Sequence, residues 1–202
     1  MEVGDFIRFI FKIPFTKNQM KRDIQALRLE ISDLKSLIIP FSNEEIELLS
    51  LNQSNKSRKK GFQKLSKGIF KTIYYEPLIA YAIKQYSNGD KLILITSTED
   101  EFAYVVKSDI THVYMNNVEA GVLTKKGEFY NGRNKLLATI DGADHLATHA
   151  VWIQGKNIGF IANPKFANQT LPRAFSLLKN MTEDELSIFL CLTLINLVEE
   201  AQ

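Results

Sequence analysis

The chain has 202 residues, 45% of them hydrophobic and 24% charged, with a formal net charge of +2. This is long enough for one sizeable core plus an appendage, and the composition is that of an ordinary globular protein, neither disordered nor fibrous. So small a positive excess does not by itself demand a polyanionic partner, and a lone cysteine leaves no disulfide framework within the chain, as expected in a reducing compartment. The start does not read as a secretory signal. Glu2 and Asp5 stand where basic residues belong, and Arg8 and Lys12 interrupt the apolar run. A cytoplasmic location is expected.

Residues 5–13 form a short amphipathic piece ended by Pro14, with Arg8 and Lys12 sharing one face among Phe6, Phe9, Ile10 and Ile13. A helix follows, roughly from Lys17 to Leu37. Met20, Ile24, Leu27, Ile31, Leu34 and Ile38 are spaced alternately four and three apart, which is a heptad seam. The seam predicts either assembly into a homo-oligomer through 17–38 or packing on the chain's own domain. Ser42 and Glu45 form a capping box that predicts a short helix over 43–51. The stretch 52–67 is polar and holds Lys56, Arg58, Lys59, Lys60, Lys64 and Lys67 without an acid, and it reads as a basic linker or an exposed helix.

From Gly68 the period changes to two, which predicts a strand through Tyr75. Pro77 at the start and Asn88-Gly89 at the end favour a helix over a further strand for the apolar run between them. Strands are then expected at about 91–97, 102–107, 110–116, 119–124, 134–140, 148–154 and 157–163. Turn residues punctuate them, among them Asn116-Asn117, Lys126-Gly127 and Asp141-Gly142. The last element is a helix over 182–199, opened by a capping box of Thr182 and Glu185. Its apolar residues point in every direction, so it must be enclosed. It is shorter than the roughly 20 apolar residues that span a bilayer. The simplest solution encloses it in the preceding strands, with Cys191 as a buried small hydrophobe.

The segments V-Y-M-N-N-V-E-A-G-V-L (113–123), L-L-A-T-I-D-G (136–142), V-W-I-Q-G-K-N-I-G-F-I-A-N-P (151–164) and the closing helix resemble the tubby-like group, in its phospholipid-scramblase and LURP-one-related branch. They cover about a third of the chain. The resemblance implies antiparallel strands wrapped round a hydrophobic C-terminal helix, in a closed barrel of twelve strands, more than those read above. Either 69–107 supplies more of them or the barrel is incomplete. The calcium-binding and cysteine-rich signatures of true scramblases do not occur here, so the resemblance does not carry that activity.

Two clusters are candidate sites. Asp141, Asp144, His145 and His149 are ligand types suited to zinc or another transition metal. However, His145 and His149 share a face only on a helix, and Asp141-Gly142 favours a solvated hairpin loop. His112 stands alone in a strand and reads as structural. The second cluster is basic: Arg8, Lys12, Lys56, Arg58, Lys59, Lys60, Lys64 and Lys67 could meet phosphates of an anionic lipid surface. Nucleic acid is disfavoured because few aromatic residues interleave with the bases. No P-loop, dinucleotide fingerprint or nucleophile motif occurs, and no cofactor is expected.

The sequence therefore predicts a mainly β, α+β chain. Residues 1–51 would be an N-terminal helical segment, 52–67 a basic linker, and 68–202 an antiparallel barrel or sandwich around the last helix. The leading function is a non-enzymatic binding or regulatory module, reversibly attached to anionic membranes. The alternatives are an oligomeric scaffold assembled through the heptad helix and a metal-dependent enzyme using the 141–149 loop.

Overall fold

The computed structural model describes residues 17–42, 45–60, 63–141, 146–166, 172–178 and 180–200. The amphipathic piece at 5–13, with Arg8 and Lys12, lies outside them, as do Asp144 and His145. Helix α1 spans Lys17–Glu30 and a short α2 spans Ser32–Lys35. Twelve strands follow in one antiparallel sheet whose spatial order is the chain order. They are β1 (Leu49–Lys60), β2 (Gln63–Thr72), β3 (Pro77–Gln85), β4 (Lys91–Thr96), β5 (Glu101–Val106), β6 (Ile110–Met115), β7 (Val118–Thr124), β8 (Glu128–Tyr130), β9 (Leu136–Asp141), β10 (Thr148–Ile153), β11 (Lys156–Ala162) and β12 (Phe175–Leu177). Helix α3 spans Glu183–Glu200.

The sheet rolls into a nearly closed barrel. The start of β1 meets the residues just before β12 over a short length. Leu51 N donates to Pro172 O at 2.9 Å, and Ala174 N donates to Leu49 O at 2.7 Å. Beyond Leu51, β1 pairs among the described residues with β2 alone. That part of the strand carries Lys56, Arg58, Lys59 and Lys60.

Helix α3 fills the barrel. Every residue from Phe189 to Val198 is buried except Asn196, which is half-buried. These residues share one apolar cluster with Tyr81, Ile93, Phe102, Tyr104 and other inward side chains of the strands. The capping box forms as expected. Glu185 N donates to Thr182 Oγ1 at 3.2 Å, and Thr182 N donates to Glu185 Oε2 at 3.1 Å. No described helix is long and apolar enough to cross a membrane.

Helix α1 lies across the outer face. Ile24, Leu27 and Ile31 pack on Ala82, Leu92, Leu94, Ala103 and Val105 of β3 to β5. Of the two expectations for the heptad seam, packing on the chain's own domain is the one seen, since alternating three and four spacing makes an apolar stripe that suits a sheet as well as a second helix. Polar contacts fix its position. Arg28 Nη2 meets Glu101 Oε1 at 2.5 Å, Lys84 Nζ meets Asp23 at 2.8 Å, and Lys67 Nζ meets Asp33 at 2.7 Å. The helix is interrupted at Ile31, where Ser32 Oγ donates back to Leu29 O at 2.9 Å.

Three local expectations are corrected. The described residues of 52–67 are not a linker or a helix but belong to the paired strands β1 and β2. The helix expected over 43–51 shrinks to one 3-10 turn, Glu45–Leu48, before β1 begins. The run after Pro77 is strand β3, not a helix. It is buried on both faces, since Ile79, Tyr81 and Ile83 point at the barrel core while Ala80 and Ala82 lie under the N-terminal helices. Such a strand shows no apolar–polar alternation.

Candidate anion-binding site

In a meander the turns alternate between the two ends of the sheet. The chain passes from β1 to β2, β3 to β4, β5 to β6 and β7 to β8 at the end toward which the C-terminus of α3 points, a placement confirmed by Lys91 Nζ of β4 contacting Glu199 of α3 at 3.0 Å. There the barrel holds a cavity of about 410 Å³. Its floor includes Leu123, Ile161, Ile195 and Leu197, all buried. Its rim carries Lys107, Lys125, Lys126 and Lys165 from three separate connections, with His149 of β10 beside them.

Two carboxylates line the same cavity, Asp109 and Glu199. Each meets a lysine: Lys125 Nζ stands 3.0 Å from Asp109 Oδ1, and Lys91 Nζ stands 3.0 Å from Glu199 Oε1. Helix α3 has no basic residue in its last turn. The rim lysines therefore supply the positive charge that its negative end favours. Among the described lining residues, four lysines stand against two carboxylates, and apolar walls focus the field of such an excess.

The expected basic cluster is only partly gathered here. Lys56, Arg58, Lys59 and Lys60 are in the last part of β1 and Lys64 is in β2, with Lys59 paired to Lys64 in the register. These strand ends point the same way as the cavity. Lys67 faces α1 instead, donating to Glu30 O and Asp33. Of the metal-type residues, Asp141 ends β9 exposed to solvent, and His149 lines the cavity. Among the described residues, no three His, Cys, Asp or Glu side chains converge as a metal set would. His112 is buried in β6, with Nδ1 3.5 Å from Glu119.

Sequence reasoning passed over Lys107, Lys125, Lys126 and Lys165 because each looks like an ordinary turn lysine. Grouping alternate turns of the meander would have joined 107 to 125 and 126. No comparable signal points to 165. Two deeply buried ionisable groups hold their protons. Burial pushes the Cys191 thiol up to about 12 and holds the Tyr104 hydroxyl well above its ordinary value. Compared with known proteins, the chain matches no family model, no curated protein and no solved structure significantly.

Proposed function

We propose that the protein is a non-enzymatic, tubby-like binding module that attaches reversibly to anionic membrane surfaces through the lysine-bearing end of its barrel. One observation carries this reading: the basic strand ends of β1 and β2 point the same way as the rim lysines 107, 125, 126 and 165. Twelve strands around a hydrophobic C-terminal helix are also the arrangement that the resemblance implies. Each cation brought near an anionic leaflet contributes about 1 kcal/mol, so several together give attachment that salt can reverse.

The experiment is co-sedimentation with vesicles of rising phosphatidylserine content. Binding is expected to grow with anionic lipid and fall with salt. The double substitution Lys59→Glu, Lys60→Glu should weaken binding without moving the melting temperature. Absence of binding at low salt, or binding indifferent to the reversal, would remove the membrane reading.

A further inference from the structure

The surface reading concerns cations near a flat leaflet, but the cavity is concave and has its own shape. At about 410 Å³ it lies within the usual range of small-molecule sites, about 300–1,000 Å³. Its mouth combines point charges with hydrogen-bonding side chains. Thr111, His149 and Asn196 line it, and Asn196 donates its amide to Leu192 O at 3.2 Å. Lysine is a compact charge suited to compact anions, where arginine would favour a planar, two-point partner. Among the described residues, no arginine lines the cavity. A flat bilayer can touch the rim, whereas only a small solute can reach the floor at Leu123 and Ile195.

We propose that this cavity is a binding site for a compact soluble polyanion, of the size and charge of a diphosphate or tricarboxylate, and that its occupant competes with the membrane for the rim lysines. The competition follows from charge. Lysines neutralised by a solute in the cavity no longer attract anionic lipid, so occupancy releases the protein from the surface. The site proposal stands on the cavity alone. The competition rests on the membrane reading above.

The test uses the full chain with pyrophosphate and, separately, citrate, each against sodium chloride of matched ionic strength. Isothermal titration should show one site, and Lys125→Glu with Lys126→Glu should weaken it about tenfold or more. Both positions are exposed on a turn, so circular dichroism and melting should match the parent chain. No titratable binding of either probe, or binding unaffected by the 125/126 reversal, overturns the site. In the vesicle assay, the solute should release bound protein more than matched salt does. Failure of vesicle binding with titration intact would remove the membrane reading and leave the site. Binding to both without competition would overturn the release mechanism.

Discussion

The two long helices, α1 and α3, show how the distribution of apolar residues decides a helix's place. In α3 apolar residues cover the whole circumference, and the helix stands inside the barrel with Phe189, Leu192 and Leu194 almost wholly buried. In α1 they form one stripe, and the helix lies outside with Leu27 and Ile31 buried and Leu29 exposed. A stripe satisfies one surface, and here that surface is the outer face made by Ala82, Leu92, Leu94, Ala103 and Val105. One helix organises the core, while the other covers it.

The sharpest way to break this contrast is to put a charge in each helix. Leu190→Asp should abolish soluble folding, because an unpaired carboxylate inside the barrel costs more than the roughly 5–15 kcal/mol that holds a domain together. A soluble, cooperatively melting variant would show that α3 is not enclosed. Leu27→Ala removes a buried side chain from the outer face and should cost about 2–5 kcal/mol, leaving the strand signal in circular dichroism intact. Loss of that signal would mean that α1 is part of the core.

A gentler probe is alkali. The raised Cys191 thiol keeps its proton in the folded state. A group held above its unfolded value contributes stability below that value and loses it as pH rises toward the folded one. Stability should therefore decline from about pH 9 to about pH 12. In Cys191→Ala that decline should flatten, although the buried Tyr104 hydroxyl contributes in the same direction. A Cys191→Ala chain with an unchanged alkaline slope would exclude the thiol as a contributor. The smallest effect belongs to the clasp on α1. Arg28→Ala removes the contact with the Glu101 carboxylate at a partly exposed site, so a loss of about 1 kcal/mol in urea unfolding is expected.

The contrast also explains what was legible in the sequence. Helix α3 was legible because its cap and its uniform apolarity are both local signals. The hairpins of the second half were legible through their turns. Asn116 and Asn117 adopt φ of 50° and 68°, and Gly127 and Gly155 adopt 76° and 77°, conformations that these residues supply at little cost. Strand β3 was hidden because α1 covers one face and α3's core the other, so its alternation is between large and small apolar residues. Strands β8 and β12 have three residues each, too few for a period to show. The β1–β2 hairpin was hidden by an edge whose polar sequence imitates a linker. The cavity was least legible, because its lysines are drawn together by the roll of the sheet and not by proximity along the chain.

Native-state hydrogen exchange tests the central contrast most directly, since it measures how each helix opens in the intact protein. Amides from Phe189 to Val198 should exchange only with global unfolding, with protection that falls with denaturant as the whole barrel does. Amides from Ile24 to Ile31 should exchange through a smaller, local opening that is less sensitive to denaturant. Exchange of the α3 amides as fast as those of α1, or through the same local opening, would contradict a barrel built around its last helix.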